Sequence, residues 1–208
     1  MRARDWSAIL SATVDIDNLI ATQLNRPARS SSARGADPLA VLYSNARTRV
    51  QRLISELDDI PDRDMVVLLM VLFFDERIVR YLNDDDRPRW PFLQMEWIKS
   101  QRGGEEFFRI AQQVLSDNHP PRNVVETLYH CLQNGFVGRF ASDPRSREEI
   151  THKLRARLIT PTNVGPRDMA PTNTGRLGQL RWPGWYYLSA AAAAVALTGL
   201  LVSWSNHS

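Results

Sequence analysis

The sequence contains a single cysteine, Cys131, so no intrachain disulfide can form and the fold rests on its hydrophobic core. A chain of 208 residues is long enough to build one main domain without staples. It lacks strong charge of one sign. A formal net charge of +3 gives no argument for a nucleic-acid partner. The first thirty residues hold no apolar core of signal-peptide type, and no cleaved secretory signal is expected. No segment alternates as a strand does. Catalytic signatures are missing as well: no GxxxxGK[ST] phosphate loop, no GxGxxG, no HExxH, no GxSxG. Glu149 and His152 make half of a di-iron helix signature without its second half. His119, His130 and His207 show no ligand spacing. Cys131 falls on the apolar face of its helix, as a packed thiol would. The reading is therefore non-catalytic, with no metal, no cofactor and no catalytic residue.

What the sequence does contain is one long uncharged run. Residues 185–204, WYYLSAAAAAVALTGLLVSW, number twenty and as a helix would span about 30 Å, the thickness of a hydrocarbon core. Trp182, Trp185, Tyr186 and Tyr187 stand at one end and Trp204 at the other, as interfacial belts do. Between Arg145 and Arg181 there are eight Lys/Arg against three acids. This bias places the N-terminal domain in the cytoplasm, with residues 205–208 as a short periplasmic tail. The expected division is a helical domain over 1–158, a basic linker with prolines and glycines over 159–184, and the span. Ser189 to Ala194 offer small side chains, either as a packing face for another helix or as neutral filler; a homodimer through that face is one partnership this allows. A second apolar run, MVVLLMVLFF at 65–74, covers only about 15 Å and reads as a central buried helix.

The rest of the chain has helical periodicity throughout. Helices are expected over 5–24, with Ile9, Leu10, Ile16, Leu19, Ile20 and Leu24 inward; over 38–57; from Pro61 into the low eighties; over 90–100, with Trp90, Leu93 and Trp97 as anchors; over 105–117; over 122–134; and over 144–158. A Ser/Arg-rich loop occupies 26–37. Asn134-Gly135 reads as a left-handed helix cap.

Three constellations exceed what helix propensity requires. Asp75 and Glu76 directly follow the apolar run, either as a polar edge paired with Arg77 or Arg80 or as a partner contact. Gly103-Gly104-Glu105-Glu106-Phe107-Phe108 reads as a hinge before a helix start, with acids at the positive pole. Tyr129 to Phe140, YHCLQNGFVGRF, sets Gly135 and Gly138 around Phe136 as a tight packed turn leaving a core helix.

In this order and spacing the three resemble the DotU/IcmH/TssL family, inner-membrane components of type VI and the related type IVB secretion systems. That family carries a leucine-rich helix ending in Asp-Glu, a Gly-Gly-Glu-x-Phe-Phe element and a Tyr-x-Cys-Leu-x-x-Gly-Phe-x-Gly-[KR]-[YF] turn. Two departures stand out: Val137 replaces a polar residue, and the stretch before the double glycine reads WIKSQR without the usual histidine. The resemblance implies an all-α, hook-like cytoplasmic bundle of two three-helix sub-bundles plus one C-terminal transmembrane helix in the bacterial inner membrane. It also implies a large IcmF/TssM-type membrane partner, contact with baseplate components, and interface roles for Asp75, Glu76, Glu105, Glu106 and Arg139. A further periplasmic domain is not expected beyond Trp204. Two other classes stay open on the residues alone: a tail-anchored helical regulator that binds a partner helix, and a membrane-tethered enzyme.

Overall fold

The computed structural model describes residues 1–24 and 37–159. The expected linker beyond Ile159, the span, its aromatic belts and the tail lie outside the described residues, as does most of the Ser/Arg-rich loop. The described residues form helices joined by turns: α1 (Ala3–Leu24), α2 (Pro38–Glu56), α3 (Arg63–Tyr81), α4 (Met95–Ile98), α5 (Gly103–Ser116), α6 (Arg122–Gln133) and α7 (Pro144–Ile159), with 3-10 turns at Arg87–Arg89 and Gly138–Phe140. Among them no helix is long and apolar enough to cross a membrane.

The ten-residue apolar run forms the middle of α3, and its composition decides that helix's place. A helix apolar all round must be covered all round. Val66, Val67, Leu69 to Phe74 and Ile78 are all buried. α1 and α2 pack on each other and on α3, while α5 and α6 pack on α3 and on each other, and α7 lies on α5 and α6. α2 starts as its sequence suggests: the Asp37 carboxylate accepts the Leu39 N–H at 3.2 Å, with Pro38 at the first helical position. α6 ends at Asn134, followed by Gly135 at φ +88, and the Phe136 N–H returns to the Cys131 carbonyl at 3.0 Å.

Four expectations need correction. Pro61 does not open α3; Asp62, at φ 60, precedes a helix that begins at Arg63. Leu10 is 50 % exposed, with Val14 beside it at 57 %, while Ile9, Ile16, Leu19 and Ile20 hold the buried stripe of α1. The stretch 90–100 is not one helix. Phe92 and Lys99 take positive φ values of 53 and 51, which bound the single turn α4 on its two sides, and a carboxylate from α3 binds the N–H groups at its start. Finally, Gly103 and Gly104 are not a hinge ahead of α5 but its first two residues.

Candidate functional site

The three sequence constellations meet at one junction where α3, α5 and the turn after α6 come together. Asp75 is its buried acceptor, only 2 % exposed. Its Oδ1 accepts from the Trp90 indole N–H at 2.9 Å and the Leu93 N–H at 2.8 Å, and its Oδ2 accepts from the Gln94 N–H at 2.7 Å. Leu93 and Gln94 stand at the start of the α4 turn, where N–H groups have no partner within the helix. Asp75 thus caps α4 from another element and pins Trp90, whose ring packs edge-on against Tyr43 at 5.6 Å. Burial pushes the Asp75 carboxyl up to about 6, against the pull of its three donors. Sequence allows Asp75 and Glu76 either a local pairing with Arg77 or Arg80 or a partner contact, and for Glu76 the pairing with Arg80 is present. The structure places Asp75 inside, satisfied by its own chain, while Arg77 pairs with Asp17.

Glu76 does the same for the second turn. Its two oxygens accept the Val137 N–H at 2.8 Å and the Gly138 N–H at 2.7 Å. Arg80 binds Glu76 at 2.6 Å and donates to the Gly135 carbonyl at 2.8 Å. Arg77 pairs with Asp17 of α1, donates to the Asn134 carbonyl at 3.1 Å and lies over the Phe73 ring. One face of the end of α3 therefore holds the backbone of 134–138 through charge-assisted bonds. Replacing Glu76 by glutamine keeps one acceptor and turns an NH2 group toward N–H donors. We expect Glu76→Gln to lose about 2 kcal/mol, from the half-buried donors left unpaired. Thermal melting of the detergent-solubilised chain, followed by tryptophan fluorescence, measures it; an unchanged melting temperature would show the cap to be incidental.

Glycine spacing completes the junction. A Cβ on Gly104 would stand 2.9 Å from the Gly138 Cα and 3.1 Å from the Arg139 nitrogen, both backbone atoms. Gly138, at φ +52, would carry a Cβ 3.0 Å from the Gly104 carbonyl oxygen and from the rings of Phe108 and Phe136. Backbone touches backbone here, and only glycine on both sides permits it. Around the contact lie Phe107, Phe108, Phe136 and Phe140, with ring centroids 4.0 Å apart for Phe107 and Phe136 and 4.5 Å for Phe108 and Phe140. Gly103 abuts the end of Gln94 and Leu72, so both glycines serve close approach.

The remaining residues singled out in sequence divide between core and rim. Cys131 is fully buried against the Leu69 carbonyl and the Met70 sulfur, and burial pushes its thiol well up, away from nucleophilic reactivity. His130 packs between Trp6 and Phe73, and burial, helped by the Arg77 charge, shifts its ring below the usual imidazole range. Tyr129 is half-buried. Glu106 is held by two guanidinium nitrogens of Arg109 at 2.6 and 2.8 Å. Glu105 is exposed, 3.7 Å from Arg102. Arg139 is exposed over the Phe140 ring, its guanidinium carbon 4.9 Å from the centroid, and forms no ion pair with the described residues.

Sequence reasoning missed Trp90 as a donor, Gln94, and Asp17 as the partner of Arg77. Separations of 15, 19 and 60 residues leave no local signal for these bonds. Among the described residues no three His, Cys, Asp or Glu side chains gather as a metal site. A groove of about 760 Å³ between α5 and α7 is lined by Leu115, Phe140 and Ile150 with Glu149 and Lys153 at its edge; those two are already paired at 2.6 Å.

A protein family described as "Type VI secretion system protein DotU" matches residues 28–205. Two solved structures share the fold, each with a TM-score of 0.55. DotU from Francisella novicida is 19 % identical, covering 74 % of this chain and 99 % of its own. SciP/TssL of the type VI secretion system from enteroaggregative Escherichia coli 042 is 20 % identical, covering 85 % and 99 %. No curated protein matches the sequence.

Proposed function

This chain belongs to the DotU family of type VI secretion system proteins, and on that premise we propose that it is a non-catalytic scaffold subunit of the secretion membrane complex. It is held in the inner membrane by the uncharged segment 185–204, keeps its helical domain in the cytoplasm, and links the baseplate to a large IcmF/TssM-type membrane partner. The observation that carries this reading is the use to which the three motifs are put. Asp75 and Glu76 cap backbone and Gly104 and Gly138 bring backbone against backbone, so what these motifs build is a rigid platform and not a reactive pocket.

The platform leaves Glu105 and Arg139 exposed on either side of the Gly104–Gly138 contact. Exposed charges of this kind steer and select partners more than they hold them. Glu76 and Glu106, each engaged internally, position this rim. Affinity capture of the full chain from native membranes should recover a large multi-domain membrane protein. The pair Glu105→Arg and Arg139→Glu should cut that recovery about tenfold while leaving the melting temperature within a degree or two. Alkaline carbonate should leave the chain in the membrane pellet. Recovery as a soluble protein without such a partner would overturn the proposal.

A further inference from the structure

α1 packs against α2 and α3 and leaves its outer face uncovered. From Trp6 to Val14 the helix carries no charge. Ala3, Ser7, Leu10 and Val14 fall at i, i+4, i+7 and i+11, on one face, and all are exposed, Leu10 by 50 % and Val14 by 57 %. With half-buried Trp6 and exposed Ser11 they line an open groove of about 570 Å³. Two large aliphatic side chains one turn apart, beside a tryptophan, make a contiguous patch and not scattered exposure. The charges at its two ends say what covers it. Arg2 and Arg4 stand before the uncharged stretch, and Asp15 and Asp17 after it; Asp5 is buried. A two-fold axis crossing α1 between Ile9 and Leu10 sets position 4 of one copy opposite position 15 of the other, and position 2 opposite position 17. At 100° per residue, Arg4 and Asp15 share one flank of the exposed face and Arg2 and Asp17 the other, and in an antiparallel pair like flanks meet. Arg2 and Asp17 are engaged within the chain, by Asp5 and Arg77. Arg4 and Asp15 form no ion pair among the described residues, although the Asp15 charge reaches Arg52 of α2. The face therefore matches itself, apolar against apolar, with an unpaired cation against an unpaired anion at each end.

We propose that the Ala3–Ser7–Leu10–Val14 face of α1 docks a second copy of this chain, which lays its own α1 across it antiparallel. Ala3, Ser7 and Ser11 are small enough for the two axes to approach to about 8 Å. Leu10 and Val14 of each copy then fill the space over the other's small residues, as ridges fill grooves. One helix pair is smaller than a standard interface. The contact is thus weak in dilute solution, and it is independent of the membrane anchoring proposed above.

The test traps the pair in the full chain, solubilised in mild detergent. Cys131 is buried, so each introduced cysteine is the accessible thiol. Leu10→Cys lies beside the axis and should form a disulfide-linked dimer about tenfold faster than Thr48→Cys on an exposed part of α2. Ala3→Cys should not link to itself, because the axis holds the two copies of that position about 20 Å apart along the helices. It should link to Val14→Cys when those two variants are mixed. Arg4→Asp and Asp15→Arg should each slow Leu10→Cys linkage about fivefold with melting temperatures unchanged. Mixing the two reversed chains should restore it, since each carries the charge the other lacks. Association through residues 185–204 sets no register on α1, so the pattern of linkage decides, and not dimerisation alone. Ala3→Cys linking to itself, Leu10→Cys no faster than Thr48→Cys, or no rescue on mixing would overturn the proposal. A Leu10→Asp chain that loses a different protein on capture, while Leu10→Cys stays monomeric, would give the face to that protein instead.

Discussion

Asp75→Ala should cost this domain about 3–5 kcal/mol, enough to unfold a marginally stable protein near body temperature. The substitution removes no large apolar surface. It strips the partner from three buried donors at once, the indole N–H of Trp90 and the backbone N–H groups of Leu93 and Gln94. Each buried donor left unpaired carries a desolvation penalty of about 1–3 kcal/mol. Asp75→Asn should cost less, because its carbonyl oxygen can keep Trp90 and Leu93 while its NH2 faces the Gln94 N–H. The two variants also separate by pH. Burial lifts the folded carboxyl to about 6 from an ordinary 3.8, so the folded state holds this proton at pH values where the unfolded chain has released it. Stability from the protonated group is therefore complete below about 4, falls as pH rises toward 6, and is flat above. Denaturant titrations of wild type and Asp75→Asn at pH 4.5, 5.5 and 7 should show their difference shrinking or changing with pH in that window only. Parallel curves, or an Asp75→Ala loss below about 1 kcal/mol, would remove Asp75 from its structural role.

Gly138→Ala is expected to have the next largest effect, about 2–4 kcal/mol, from overpacking and from a positive φ that alanine resists. The new methyl would meet the Gly104 carbonyl and two phenylalanine rings at 3.0 Å, so neither backbone nor ring can yield without moving α5 off the turn. Gly104→Ala meets the same wall from the other side. Since either methyl opens the same contact, the double variant should cost well under the sum of the two. Gly103→Ala tests a different contact. Its methyl would strike side chains rather than backbone, the buried Gln94 amide at 2.0 Å and a Leu72 methyl at 2.9 Å, so its cost should come through loss of the Gln94–Ser100 bond and not through the Gly104–Gly138 contact. Thermal melts rank the three, and capture of the membrane partner reports whether the loosened junction still supports the rim. A Gly138→Ala protein as stable as wild type would show that the backbone contact is not needed.

Much of the helical framework was legible in the residues. The expected 122–134 and 144–158 helices appear as Arg122–Gln133 and Pro144–Ile159, and Gly135 caps α6 with the positive φ that its place after Asn134 suggested. These features are encoded within a turn or two of chain, by apolar spacing and by backbone preference. The segment 90–100 was misread for the opposite reason. Its composition favours a helix, but Asp75 captures two of its N–H groups and Phe92 turns left-handed, a tertiary decision that propensity cannot contain. Spacing alone does not separate Leu10 from the other five apolar residues of α1, because which of them face inward is chosen by the α2 and α3 surfaces packed against that helix.

The candidate site divides along the same line. Sequence by itself determined that Asp75-Glu76, the double glycine and the Tyr129–Phe140 turn are unusual, and that a helical domain precedes an uncharged run of membrane length. Only the tertiary structure decided that Asp75 faces inward, that Glu76 caps 137–138, and that Gly104 lies against Gly138. The physical reason is range. Helical periodicity and turn chemistry act over a few residues, whereas a carboxylate becomes a cap or an interface charge according to which donors, 15 to 62 residues away, the packing of α3 brings to it.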